Sequence, residues 1–181
     1  QFGHSTICSY LLEKSTNKNP ADFKGQTVLH YAARYGHLEI CQMLIGCDEV
    51  LEKNPCAKNG KTPLHIVAEN GHLEIFKLIW EADGAGNKMS KFKSHTAFHI
   101  AAMRGHIEIC KYLLNCLNNK NPCNKARQTP LYFAAKKDHF EICKLFLHYD
   151  IEINQMEMKM LKKKDQMELI NLFNETSAAR R

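Results

Sequence analysis

The chain has no apolar run near the roughly 18 residues that a membrane-crossing helix needs. No block of six like charges appears either, so its formal net charge of +6 does not form a nucleic-acid-binding tail. The opening Gln1-Phe2-Gly3-His4 carries no basic-then-apolar leader pattern. Eight cysteines are present without a single C-x-x-C, which removes the usual structural zinc spacing. His37-Leu38-Glu39 with Pro55-Cys56, and His106-Ile107-Glu108 with Pro122-Cys123, begin the H-x-E then P-C-x-x-C signature of zinc deaminases. Both lack its second cysteine. There is no glycine-rich phosphate loop and no G-x-S-x-G elbow. No catalytic residue, metal or cofactor is therefore expected, and an enzyme is not the reading these residues favour.

One phrase is present again and again. Thr62-Pro63-Leu64-His65 runs to Gly71-His72-Leu73-Glu74-Ile75. Thr27-Val28-Leu29-His30 runs to Gly36-His37-Leu38-Glu39-Ile40, and Thr96-Ala97-Phe98-His99 to Gly105-His106-Ile107-Glu108-Ile109. Thr129-Pro130-Leu131-Tyr132 runs to Asp138-His139-Phe140-Glu141-Ile142. The threonines stand 35, 34 and 33 residues apart, a period that marks stacked repeats. Each position has a physical task. Threonine caps a helix start by accepting from a free N–H, and proline suits the first helical position, where no N–H is needed. Ala32, Ala33, Ala68, Ala101, Ala102, Ala134 and Ala135 let helices approach closely. Gly36, Gly71 and Gly105 supply the left-handed backbone that ends a helix. Asp138 replaces that glycine and tolerates the conformation better than most residues. A second helix follows, with Ile75, Leu78 and Ile79 at core spacing.

This wording resembles the ankyrin repeat, T-P-L-H-x-A-A-x-x-G-H-x-E-I. The resemblance implies an all-α fold with short β-hairpin loops, a solenoid of stacked helix-turn-helix units. It divides the chain into a partial repeat at 1–20, repeats at 21–55, 56–89, 90–122 and 123–155, and a degenerate capping repeat with a tail at 156–181. Residues 5–14 read as an outer helix without its inner partner, so further repeats are expected before Gln1, in a longer chain. Asn19-Pro20, Asn54-Pro55 and Asn121-Pro122 introduce the repeats at 21, 56 and 123, Lys88 takes that place before the repeat at 90, and Asn154 holds it at the end. Asn54, Asn121 and Asn154 resemble the asparagine hydroxylated in some ankyrin proteins. Gly84-Ala85-Gly86-Asn87 should form the loosest connection. The resemblance also turns eight of the ten histidines into hydrogen-bonding struts; only His95 and His148 fall outside the pattern.

Cys8, Cys41, Cys110 and Cys143 follow the isoleucine of the outer helix, where Phe76 stands in another repeat. A site that takes cysteine or phenylalanine is a packing site, which implies buried, reduced thiols and an intracellular protein. Cys47, Cys56, Cys116 and Cys123 fall near inter-repeat loops and are expected to be exposed.

For function, the resemblance implies a protein–protein interaction scaffold or adaptor with a binding concave face. Alternatives are contact with nucleic acid or an anionic membrane surface, or service as the non-catalytic interaction segment of a larger enzyme or channel. In designed ankyrin binders, recognition comes from the hairpin tips and the two residues before the turn. Those positions here are Phe23, Lys24, Gln26, Arg34 and Tyr35, then Lys58, Asn59, Lys61, Glu69 and Asn70. Phe92, Lys93, His95, Met103 and Arg104 follow, then Lys125, Ala126, Gln128, Lys136 and Lys137. These twenty carry a net +8 and the remaining chain −2, with Glu69 the one acid among them. An acidic protein partner with apolar anchors is expected.

Overall fold

The computed structural model describes residues 7, 10, 13–14, 17, 19–48, 50, 52–83, 95–149, 154–163 and 170–171. The expected loose connection at 84–87, Cys8, Phe92, Lys93 and most of the partial first repeat lie outside them. The chain forms two compact units, residues 1–97 and 98–181.

In the first unit, helices α1 (Val28–Tyr35) and α2 (Leu38–Gly46) pair, as do α3 (Pro63–Asn70) and α4 (Leu73–Ala82). Helix α1 packs on α3, and α2 on α4. The second unit holds α5 (Ala97–Arg104, all but its first residue), α6 (Ile107–Cys116), α7 (Pro130–Lys136), α8 (Phe140–His148) and α9 (Gln155–Lys163). Here α7 packs on both α8 and α9, and α6 on α8.

The threonine phrase starts helices as its chemistry dictates. The Thr129 hydroxyl accepts from the Tyr132 N–H at 3.1 Å, and Pro63 and Pro130 occupy first-turn positions. The helices stop at Gly36, Gly71 and Gly105, with φ of 74°, 80° and 85°. In all four copies the following histidine N–H donates to the carbonyl five residues upstream: His37 to Ala32, His72 to Val67, His106 to Ala101 and His139 to Ala134. That bond satisfies a carbonyl which the helix end leaves open. Asp138 adopts φ 60° and keeps the same bond, so the turn survives the loss of its glycine.

Helix contacts are close because the alanines are small: Ala33, Ala68, Ala101, Ala102, Ala134 and Ala135 are all fully buried. Phe76 stacks on Trp80 in the first unit, with ring centroids 5.8 Å apart, and Phe98 on Phe146 in the second at 5.4 Å. Ile75 and Ile79 are buried as expected, while Leu78 is only partly so. Cys41, Cys110 and Cys143 are buried free thiols in the site that Phe76 fills. Burial pushes the Cys41 and Cys143 thiols up to about 12, with nearby Asp138 and Glu157 adding to the effect at Cys143, and it pushes Cys110 further. Cys56, Cys116 and Cys123 are exposed and Cys47 partly so.

Candidate interaction surface

Between the repeats stand tight hairpins, held by few bonds. In the first, the Asp22 N–H donates to the Gln26 carbonyl at 2.9 Å and the Gly25 N–H to the Asp22 carbonyl at 2.9 Å. The next pairs Ala57 with Lys61 (3.0 Å) and Gly60 with Ala57 (2.8 Å), and the one in the second unit pairs Asn124 with Gln128 (2.9 Å) and Arg127 with Asn124 (3.0 Å). Among the described residues these hairpins reach only isolated bridges, such as Ala21 with Thr27, and no strand. Adjacent tips are tied: the Lys58 N–H donates to the Lys24 carbonyl at 3.0 Å.

Two sets of histidines brace the hairpins. His30 Nδ1 accepts from the Thr27 N–H at 3.0 Å, and its Nε2 bonds the Lys61 carbonyl of the next hairpin at 3.1 Å. His99 reaches the Gln128 carbonyl in the same way at 3.2 Å. The histidines after the turn reach backwards: His72 to the Arg34 carbonyl at 3.4 Å, and His139 to that of Met103 at 3.1 Å. Their rings lie against the preceding turn. A Cβ at Gly36 would meet the His72 ring at 2.8 Å, and one at Gly105 the His139 ring at 2.8 Å. These glycines thus answer to a neighbouring side chain as well as to a positive φ.

Models of ankyrin repeats match residues 1–52 and 82–157, in three copies, and a single-repeat ankyrin model matches 59–89. The chain belongs to the ankyrin-repeat family. Such repeats are protein–protein interaction modules, and the family matches are to no enzyme. The chain is 44% identical over 50 residues to "Protein fem-1 homolog A-like" of Mus musculus, which covers 28% of this chain and 8% of that protein. It is 46% identical over 43 residues to "Probable E3 ubiquitin-protein ligase XBOS33" of Oryza sativa subsp. japonica, covering 24% and 8%. The likeness therefore spans under a tenth of either relative.

On the ankyrin frame, most of the expected contact positions face outward. Phe23 and Tyr35 are 78% and 65% exposed, and Lys24, Lys58, Asn59 and Asn70 are exposed. Gln26 and Arg34 are partly buried and bonded to each other, Arg34 Nη2 to Gln26 Oε1 at 2.9 Å. His95 is partly buried at the end of the first unit. In the second unit Arg104, Lys125, Ala126, Lys136 and Lys137 are exposed, while Met103 and Gln128 are partly buried.

Three features change the charge that the sequence suggests for this face. Lys61 forms an ion pair with Glu69, so one cation is offset by its own repeat. Asp22 adds a carboxylate at the first hairpin. Its Oδ1 accepts from the Lys24 and Gln26 N–H groups at 2.8 and 2.7 Å, and its Oδ2 from the Tyr31 hydroxyl at 2.9 Å. Desolvation works against that charge, but the bonds from Gln26, Tyr31 and Lys24 outweigh it and hold the carboxyl below its ordinary pKa. In the second unit Asn124 does the same job, its Oδ1 accepting from the Ala126 and Gln128 N–H groups at 2.9 Å each. Asparagine brings no charge. Arg127, finally, is an exposed cation at the tip, where Gly25 and Gly60 stand in the two described hairpins of the first unit.

Tyr31 also went unread. It fills the position of Ile66, Ile100 and Phe133, which are buried, yet it is 39% exposed. The Arg34 guanidinium lies 5.5 Å from its ring centroid, and Lys24 Nζ 5.3 Å from that of Phe23. The clue in the sequence was a tyrosine where its counterparts carry no hydroxyl.

The expected asparagines differ in setting. Asn54 lies in the inter-repeat loop and is fully buried, accepting from the Leu64 N–H at 3.1 Å and donating to Asp83 Oδ2 at 3.2 Å. Asn154 is no hairpin residue: it caps α9, accepting from the Glu157 N–H at 2.9 Å. Glu157 in turn accepts from the Asn154 N–H at 2.7 Å and from the Thr129 hydroxyl. In the repeat where Tyr132 replaces the bracing histidine, a buried carboxylate from α9 meets the threonine instead. Among the described residues no histidine, cysteine or carboxylate group is arranged to hold a metal, and no helix is long and apolar enough to cross a membrane.

Proposed function

We propose that this ankyrin module binds an acidic protein segment carrying apolar anchors, through its hairpin tips and the ends of its inner helices. The observation that carries the reading is the company of the exposed rings. Phe23, Tyr31 and Tyr35 stand open among Lys24, Arg34 and Lys58. Large apolar groups set among charges are the usual anchors of an interface, and aromatic rings lose little rotamer freedom on binding. Phe92, Lys93, His95, Met103 and Arg104 belong to the proposed surface by their place in the repeat. Lys125, Gln128, Lys136 and Lys137 are the corresponding positions in the second unit. An intracellular setting goes with this reading, supported by seven free cysteines among the described residues.

Selection from a random peptide library on the immobilised protein tests the proposal. Enriched peptides should combine Asp or Glu with an aromatic or aliphatic residue, and should release as salt rises, because rim charges are screened over about 8 Å at physiological strength. Phe92→Ala should then speed dissociation and cost about 1–2 kcal/mol, whereas reversing Lys136 and Lys137 to Glu should chiefly slow association. Enrichment of basic or uncharged peptides, indifferent to salt and to these substitutions, would overturn it.

A further inference from the structure

Two non-glycine residues among those described have positive φ, Arg127 at 57° and Asp138 at 60°, and both belong to the second unit. Asp138 is a tolerated substitute in a helix-ending turn. Arg127 is harder to account for. Its N–H donates to the Asn124 carbonyl at 3.0 Å, the bond that Gly25 and Gly60 make at 2.9 and 2.8 Å in their hairpins. The turn is therefore the one that glycine forms without steric cost, and a long side chain there brings strain. Nor does the side chain repay it locally. Arg34 bonds Gln26 and covers the Tyr31 ring, but the Arg127 guanidinium makes no hydrogen bond or ion pair among the described residues.

Strain retained at an exposed tip, without a local compensation, is a reason to look for a role outside the chain. The neighbours say what kind. Lys125 is exposed on the same tip, and Lys136 and Lys137 are exposed at the far end of α7. Seven helical residues at 1.5 Å each put that end about 10 Å from the start of α7, so Lys136 and Lys137 are a second pair of cations on the same repeat. The hairpin base is neutral Asn124 where the first hairpin has Asp22, and the nearby acids are the turn residue Asp138 and Glu157, which is buried against Thr129.

We infer that Arg127 is a partner-contacting residue, and that with Lys125 it forms a cationic tip, followed by Lys136 and Lys137 at the far end of α7, that receives a run of carboxylates from the partner. This rests on the acidic-segment reading above and adds to it the place where the acids dock. A polypeptide occupant suits the patch better than nucleic acid. In the first unit Asp22 and Glu69 stand among the four face cations, whereas the cations of the tip have no carboxylate bonded to them among the described residues.

The test uses the full chain, a fluorescein-labelled oligoglutamate peptide and, separately, labelled duplex DNA. Wild type should bind oligoglutamate at low salt. Arg127→Gly should weaken that binding about fivefold while leaving melting unchanged or raising it by a few degrees, since glycine relieves the positive φ. Arg127→Lys should restore most of the affinity. Unchanged binding by Arg127→Gly, or a fall in its melting temperature, would overturn the role of Arg127 and leave the acidic-segment reading standing. Failure of wild type to bind oligoglutamate at low salt, or tighter binding of duplex DNA, would overturn that reading itself.

Discussion

The two units share one skeleton and present different surfaces. In the first, the exposed groups at the hairpin and on α1 include three rings, Phe23, Tyr31 and Tyr35, with Lys24 and Arg34 lying over two of them. Two carboxylates, Asp22 and Glu69, stand among its cations. In the second, Lys125, Arg127, Lys136 and Lys137 are exposed, the hairpin base is an uncharged asparagine, and Tyr132 is buried beneath Lys136. Under the proposed function, one repeat plan supports two kinds of contact. Rings with little conformational freedom hold a partner once it has arrived, and unscreened cations hasten its arrival. The skeleton leaves the tips free to differ because the threonine caps, turns and alanines carry the fold.

The largest effects should come from the shared turn. Gly36→Ala combines a positive φ with a 2.8 Å approach to the His72 ring and should cost about 2–4 kcal/mol. Asp138→Gly, at the matching position of the second unit, should instead stabilise by about 0.5–1 kcal/mol. Chemical denaturation of the two variants reads both signs. If both substitutions destabilised, the turns would not be equivalent.

Next in size is the ring effect. Phe23→Ala or Tyr35→Ala should leave the melting temperature nearly unchanged, because both side chains are exposed, yet each should raise the dissociation rate of a selected acidic peptide about tenfold. A large loss of stability would reassign these rings to the fold.

Acid should move the two units in opposite directions. Burial holds His30 below its ordinary value of 6.5, outweighing the bond to the Lys61 carbonyl, with the Arg34 charge helping. Protonating its Nδ1 would also break the bond from the Thr27 N–H. The stability it contributes is present above pH 6.5 and is lost as pH falls through its depressed folded value. Glu157 is raised by burial against the bonds from Thr129, Asn154 and Asn121. Its contribution is full below its ordinary 4.5 and is lost as pH rises through its folded value. Amide exchange corrected for intrinsic rates should show α1 opening more easily at pH 5 than at pH 7, and α9 less easily. Glu157→Gln should remove the second trend, and the same direction in both helices would contradict the assignment.

The smallest effect is a matter of access. Cys56, Cys116 and Cys123 should react quickly with a thiol reagent, while Cys41, Cys110 and Cys143 wait for unfolding. Fast labelling of the buried three, read by peptide mapping, would show a looser core than described.

Much of the fold was legible because it is set by neighbours along the chain. A threonine two or three residues from a free N–H, a glycine at a helix end and alanine at a crowded helix face leave one physical solution. Even the cysteines were legible, since their exchange with Phe76 marks a packing site. The surface was less so. Lys61 with Glu69 and Arg34 with Gln26 are each eight residues apart, brought together by a hairpin folding onto a helix and not by any helical spacing. Asp22 and Asn124 hold the same bonds with different charge, so composition could not show which half of the face is neutral at its base. Glu157 became visible only when α9 met Thr129, because Tyr132 had hidden the missing brace.

The division of labour between the units is the central claim, and stopped-flow kinetics tests it most directly. An acidic peptide with one aromatic residue, taken from the library selection, would be mixed with wild type, Tyr35→Ala and the Lys136→Glu, Lys137→Glu double variant across a salt series. The account predicts that the charge reversals lower the association rate and flatten its salt dependence with little change in dissociation. Tyr35→Ala should raise the dissociation rate and leave association and its salt dependence intact. Both variants changing the same rate constant, or the charge reversals acting only on dissociation, would contradict it.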